Sequence, residues 1–147
     1  MRIDVSTKAS PDQVRRALID FTDRRLEIWS QSLDPRTYEL RGSGEDWAEA
    51  RESTAGSPFW VVVRYDWSDP DVVRWTVTES SYGGGGRGVV RATSRAGGGS
   101  QVTAEWDYTG ARLLQKPLLW LIGHGPIRRL IARRWTSALD RFAEEDG

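Results

Sequence analysis

The sequence predicts an α+β domain in which a curved antiparallel sheet of seven strands packs against one long C-terminal helix. Between residues 37 and 109, six segments of strand-like polarity are divided by turn signals, and none has helical periodicity. From Pro126 onward, apolar residues instead recur every three or four positions over about five turns. A chain of 147 residues suits one such domain, so we predict a single domain over residues 1–147.

The N-terminal region predicts the seventh strand and two short helices. Residues 2–7 alternate between polar and apolar side chains, as a half-buried strand does. Ser10 is a good N-cap, Pro11 suits the first helical position, and Gln13 stands where a capping box needs it. Thr22 and Asp23 then predict a break and the cap of a second short helix.

The remaining strands follow as consecutive hairpins, which makes the sheet mainly antiparallel. They are predicted at residues 37–42, 45–54, 58–68, 72–81, 87–96 and 101–109.

The run SSYGGGGRGVV places Gly83, Gly85 and Gly88 at the GxGxxG spacing of dinucleotide-binding loops. Such loops open a helix, whose N-terminus holds the pyrophosphate. Here the glycines lead into Val89 and Val90 and a further strand pattern, and a second glycine run follows that strand. The two runs therefore predict hairpin turns rather than a nucleotide site.

Composition excludes several classes of function. The 21 basic and 21 acidic side chains cancel, so no overall field favours nucleic acid. The chain has no cysteine and a single histidine, His124, which excludes cysteine-based zinc sites and histidine clusters; we expect no metal and no cofactor. The N-terminus lacks the apolar run of a signal peptide, and residues 117–123 are too short to span a bilayer, so a cytoplasmic location is expected.

Alternation places most of the large aromatic residues on one face of the sheet. Tyr65 shares a face with Trp67, and Trp106 shares one with Tyr108. In the strand between them, Trp75, Val77 and Glu79 are predicted to share a face (residues 72–81). This face needs a cover, and the amphipathic C-terminal helix can supply it.

The order of one strand, two short helices, six strands and a long helix resembles the helix-grip fold of the START-like (SRPBCC) superfamily. Within that superfamily it is similar to the polyketide cyclase/dehydrase and lipid transport branch. The resemblance covers nearly the whole chain and is carried by VSTKASPDQV, YDWSDPDVVRWTVTESS, TAEWDYTGARLLQ and LIARRWTSALDRF. It implies a hydrophobic cavity between sheet and long helix that binds lipids, polyketides or other apolar molecules, and it implies no single reaction.

The candidate ligand-binding residues follow from the aromatic face and the helix that covers it. They are Tyr65, Trp67, Trp75, Val77, Trp106, Tyr108, Leu130, Ile131, Arg134 and Trp135. Glu79 and His124 are the candidates for proton transfer. For each group a simpler interpretation is open: the rings fill a core, Glu79 is solvated or pairs with Arg134, and His124 faces solvent between its two glycines.

Three functions remain open at this point. The leading hypothesis is the binding or transport of a small hydrophobic molecule by a monomer or homodimer. One alternative is a polyketide cyclase or aromatase that uses the same cavity, and another is a protein-interaction module with a filled core. The arginines of the last helix, Arg128, Arg129 and Arg133 among them, suggest at most transient contact with a membrane surface.

Overall fold

The computed structural model describes residues 1–110, 117 and 125–146, and it confirms the predicted helix-grip architecture. Seven strands form one sheet, two short helices follow the first strand, and a long helix ends the described chain. The elements are β1 Arg2–Thr7, α1 Pro11–Ile19, α2 Arg24–Ile28, β2 Glu39–Ser43, β3 Trp47–Glu52, β4 Val61–Asp66, β5 Val72–Ser80, β6 Gly86–Ser94, β7 Ser100–Trp106 and α3 Gly125–Asp146.

The strands lie in the order β1-β7-β6-β5-β4-β3-β2, and every neighbouring pair is antiparallel. The glycine runs form the turns that the sequence predicts. Gly83, in the β5–β6 turn, has φ 78°, and Gly98, in the β6–β7 turn, has φ 106°. Such angles favour glycine because other residues place their Cβ too close to the backbone. After the first run the chain continues as β6, so the GxGxxG spacing belongs to a hairpin.

The start of α1 is fixed locally, as predicted. The Gln13 amide donates to the Ser10 hydroxyl at 3.1 Å, and the Ser10 amide donates to the Gln13 side chain at 2.9 Å. This reciprocal pair satisfies two amides that the helix itself leaves free. At α2 the prediction is only partly right: the Asp23 side chain makes no cap hydrogen bond, and the Arg24 amide donates to the Thr22 hydroxyl at 3.3 Å.

The apolar core lies between the sheet, α1 and the C-terminal half of α3. Leu139 and Phe142 of α3 are buried against β1 and the two short helices, in one cluster with Val5 and Val14. The first part of α3 is more open, since Ile127 is 40% and Leu130 is 44% exposed. The C-terminal half therefore anchors the helix by apolar burial.

The sheet curves around α3. At one side the helix packs on β1, an edge strand, and at the other the Arg134 Nη1 donates to the Ala55 carbonyl just after β3, at 3.4 Å. Because four strands separate β1 from β3 in the strand order, α3 and the Arg134 side chain reach both strands when the sheet bends around the helix. The concave face of the curved sheet lies under α3. We name the space between them the trough, and the middle strands form its floor.

Arg15 ties α1 to the turn between β4 and β5. Its Nη2 donates to the Trp67 carbonyl at 2.7 Å, and its Nη1 donates to the carbonyls of Asp69 and Pro70, each at 3.2 Å. Three hydrogen bonds from one guanidinium fix this end of the trough, since a charged donor makes stronger hydrogen bonds than a neutral one.

Among the described residues, no helix is both long enough and apolar enough to cross a membrane.

Candidate functional site

A row of aromatic rings follows the helix-facing side of the sheet; we name it the aromatic strip, and it consists of Phe21, Tyr65, Trp67, Trp75 and Trp106. Trp67 stacks on Phe21 with ring centres 5.8 Å apart, and Phe21 lies 5.0 Å from Tyr65. Trp75 continues the row, 6.4 Å from Tyr65 and 6.5 Å from Trp106. All five residues are only half-buried. The structure thus brings four predicted lining residues together and adds Phe21.

Gly88 allows the strip to cross from β5 to β7. It is the cross-strand partner of both Trp75 and Trp106. A Cβ at Gly88 would stand 2.1 Å from Cζ2 and 2.2 Å from Cε2 of the Trp75 indole, far closer than real Cβ contacts. The Trp75 ring therefore occupies the space that a side chain at position 88 of β6 would fill. This contact gives the last glycine of the GxGxxG spacing a role in the site.

The other predicted lining residues divide into three groups. Val77 is half-buried on the strip's face, and Ile131 and Trp135 pack against the core. Tyr108 lies beyond the end of β7, and its ring meets the buried Tyr82 edge-on at 5.6 Å. Leu130 is largely exposed.

The prediction that Glu79 shares a face with Val77 is wrong, because a β-bulge intervenes. Val77 pairs with Val63, but Glu79 pairs with Val62, so Thr78 is an extra residue in β5. One extra residue turns every following side chain to the other face. The Glu79 side chain is 59% exposed, on the face opposite the strip.

The predicted polar pair between Glu79 and Arg134 does not form. Glu79 instead lies 3.8 Å from Arg41, and Arg134 donates to the Ala55 carbonyl. The other candidate for proton transfer, His124, lies outside the described residues.

A buried ion pair lies at one end of the strip, and the sequence analysis did not predict it. Arg25 is 5% and Glu52 is 3% exposed. The Arg25 Nε donates to one Glu52 oxygen at 3.1 Å and its Nη2 to the other at 3.4 Å. The Tyr65 hydroxyl also donates to Glu52, and the Arg25 guanidinium lies over the Phe21 ring at 4.0 Å. The signal was present in β3, where Ala48, Ala50 and Glu52 share the inward face.

The environment fixes the protonation of this group. Burial alone would lower the pKa of Arg25, but the Glu52 carboxylate raises it above its ordinary value. Burial, and then the same carboxylate, raise the pKa of Tyr65 well above its ordinary value. Tyr65 therefore keeps its proton at neutral pH and acts as a hydrogen-bond donor to Glu52, not as a base.

The Tyr38 hydroxyl is buried and finds no hydrogen-bond partner within the described part of the chain. Burial raises the pKa of Tyr38 and the charge of Arg25 opposes that rise, so this hydroxyl too stays protonated at neutral pH. A buried polar atom without a partner is uncommon in folded proteins.

No protein-family model matches the sequence, and no curated protein matches it significantly. Solved structures do match. A START superfamily protein from Mycobacterium smegmatis superposes with a TM-score of 0.71 at 7% identity, over 100% of this chain and 98% of that one. The aromatase/cyclase Zhui from Streptomyces sp. R1128 superposes with a TM-score of 0.70 at 17% identity, over 99% of this chain and 93% of that one. This chain has the START-like, helix-grip fold.

A third neighbour is a complex with small molecules. Norcoclaurine synthase from Thalictrum flavum, in complex with dopamine and hydroxybenzaldehyde, superposes with a TM-score of 0.72 at 11% identity, over 100% of this chain and 87% of that one. At these identities the likeness shows the fold alone.

The chain also has a groove outside the strip, with a volume of about 440 Å³, between α1 and strands β5 and β6. Its lining includes Val14 of α1, Val73 of β5 and Val90 of β6, and none of the strip residues lines it. The charged groups of its α1 wall are engaged, since Asp12 pairs with Arg16 at 2.8 Å and Arg15 donates to the three carbonyls described above. We therefore place the candidate site at the aromatic strip.

The strip offers apolar ring surface to a ligand and few polar contacts. Within the described ranges, no three histidine or acidic side chains come together as metal ligands do. The chemistry available there is burial against aromatic faces, with hydrogen bonds from a small number of donors.

Proposed function

We propose that this START-like protein binds a small hydrophobic molecule between the aromatic strip and α3. The observation that carries the proposal is the Trp75–Trp106 pair, which lies half-buried over Gly88 on the helix-facing side of the sheet. Full burial of a large apolar side chain stabilises a fold by roughly 1.5–3 kcal/mol. Two tryptophans left partly open in a trough forgo some of that stabilisation, which a bound apolar molecule would restore.

The neighbours support this function at the level of the fold. In the norcoclaurine synthase complex, a helix-grip structure holds dopamine and hydroxybenzaldehyde, and another neighbour is an aromatase/cyclase. Aromatic molecules of this kind can pack on the open faces of such rings, since aromatic groups pack favourably with centres 4.5–7 Å apart.

The first experiment is native mass spectrometry of the purified protein, followed by extraction and identification of any bound molecule. We expect a co-purifying apolar molecule, and we expect Trp75→Ala and Trp106→Ala to lose it. Trp47→Ala is the matched control, because Trp47 lies on the opposite face of the sheet beneath the Arg64 guanidinium, at 4.2 Å.

The opposite result is equally clear. An unliganded mass, together with no binding of apolar fluorescent probes by the folded protein, would contradict the proposal. It would favour a trough filled by side chains and a role in protein interaction.

A further inference from the structure

Free carboxylates are scarce around the candidate site. Glu52 is the one buried carboxylate among the described residues, and its oxygens already accept from Arg25 and Tyr65. The bulge turns Glu79 to the opposite face. Residues 111–124, which precede α3, contain no Asp or Glu.

The long helix adds no free acid over the strip. The first acidic residue of α3 is Asp140, in the half that packs on β1. Its carboxylate accepts from the Thr7 hydroxyl at 2.6 Å and from the Lys8 amide at 2.8 Å. A ligand ammonium in the trough would thus be desolvated without a counter-charge, which is strongly unfavourable.

Hydrogen-bond donors, in contrast, are available. The indole N–H groups of Trp29 and Trp67 donate to backbone carbonyls at 3.1 and 3.2 Å. Those of Trp75 and Trp135 have no acceptor within the described residues, and neither nitrogen is sealed from solvent. An indole nitrogen donates and cannot accept.

From this imbalance we propose that the site selects apolar molecules that carry carbonyl-type hydrogen-bond acceptors and rejects cationic amines. The inference rests on the proposed function and adds the chemical class of the ligand. The donors are the Trp75 and Trp135 indoles, and the selection against amines follows because Glu52 is already paired with Arg25 and Tyr65.

The test uses three naphthalenes of nearly equal shape: 2-acetylnaphthalene, 2-isopropylnaphthalene and 1-(2-naphthyl)ethylamine. Isothermal titration calorimetry measures their dissociation constants at pH 7. We expect the ketone to bind roughly three- to tenfold more tightly than the hydrocarbon, the effect of one neutral hydrogen bond. The amine is expected to bind at least about tenfold more weakly than the hydrocarbon.

Two variants locate the donor. Trp75→Phe and Trp135→Phe keep an aromatic ring and remove the N–H, so in one of them the ketone should lose its advantage while the hydrocarbon still binds. Trp47→Phe, on the opposite face, should leave all three constants unchanged. Circular dichroism confirms that each variant is folded.

The outcomes separate the two proposals. Equal binding of ketone and hydrocarbon, or tightest binding of the amine, would overturn the inference and leave the proposed function standing. A ketone preference that survives in both Phe variants would also overturn it, because the donors would lie elsewhere. Failure of all three compounds to bind would overturn the proposed function as well.

Discussion

Replacing Gly88 by alanine tests the packing of the aromatic strip without removing any ring. The new Cβ would stand 2.1 Å from the Trp75 indole. Ordinary contact begins near 3.4 Å, so the ring must retreat by about 1.3 Å. Trp75 has little room, because it packs against the core and lies between Tyr65 and Trp106.

The expected cost is the balance of two effects. Overpacking of this kind destabilises a fold by about 1–3 kcal/mol. Alanine in place of glycine within a strand returns roughly 0.5–1 kcal/mol. We therefore expect Gly88→Ala to lower the free energy of unfolding by about 1–2 kcal/mol, which for a chain of this length lowers Tm by about 3–6 °C.

A double-mutant cycle measured by thermal and urea denaturation checks the reasoning. In a Trp75→Ala background the clash is absent, so Gly88→Ala should there be neutral or slightly stabilising. If Gly88→Ala destabilises both backgrounds equally, or stabilises the parent protein, the close approach of ring and backbone is not what requires glycine. Near-ultraviolet circular dichroism of Gly88→Ala should also change, since the displaced indole alters its coupling to the neighbouring rings.

Three further predictions concern charged groups. Glu52→Gln leaves Arg25 buried without its carboxylate, so urea denaturation should show a loss of about 3–5 kcal/mol, partly recovered when Arg25→Met is added. Hydrogen bonds, that from Arg16 first, lower the pKa of Asp146 to about 2 from 3.8. The ionised carboxylate therefore contributes to the free energy of unfolding above pH 3.8, and this contribution is lost as the pH falls through 2. Asp146→Asn should lower Tm at pH 6 and approach the Tm of the parent as the pH falls to 2 and below. Arg15→Met removes three hydrogen bonds to the β4–β5 turn and should cost about 1–2 kcal/mol and speed amide exchange in that turn.

Each of these has a contradicting outcome. A neutral Glu52→Gln would mean that Arg25 gains access to water. A Tm difference for Asp146→Asn that persists unchanged to pH 2 would assign its effect to something other than ionisation. Unchanged exchange in the β4–β5 turn of Arg15→Met would show that the turn holds its shape without α1.

Local chemistry made much of the fold predictable. The capping box depends on Ser10 and Gln13 alone, and the strands are visible because apolar side chains repeat at every second position. The same alternation correctly put Trp75 and Trp106 on one face. These signals lie within a few residues of one another, so no knowledge of the tertiary fold is needed to interpret them.

The arrangement of the candidate site could not be predicted in full, because it depends on features that the alternation of polar and apolar residues does not reveal. The bulge at Thr78 gives no sequence signal, yet it reverses the predicted face of Glu79. Arg25 and Glu52 are 27 residues apart and meet only when α2 is placed against β3. The role of Gly88 likewise requires that β5, β6 and β7 be paired in register, which the sequence leaves undetermined.

The bulge in β5 has a consequence for how such a protein can change over evolution. Deletion of the single codon for Thr78 would straighten the strand and bring Glu79 round to the side of Val77 and Trp75. A trough that now offers donors would acquire a carboxylate without a substitution at any position that lines it. On the proposed selectivity, insertions and deletions of one residue, rather than point mutations, would be a short mutational path between scaffolds that accept carbonyl compounds and scaffolds that accept amines.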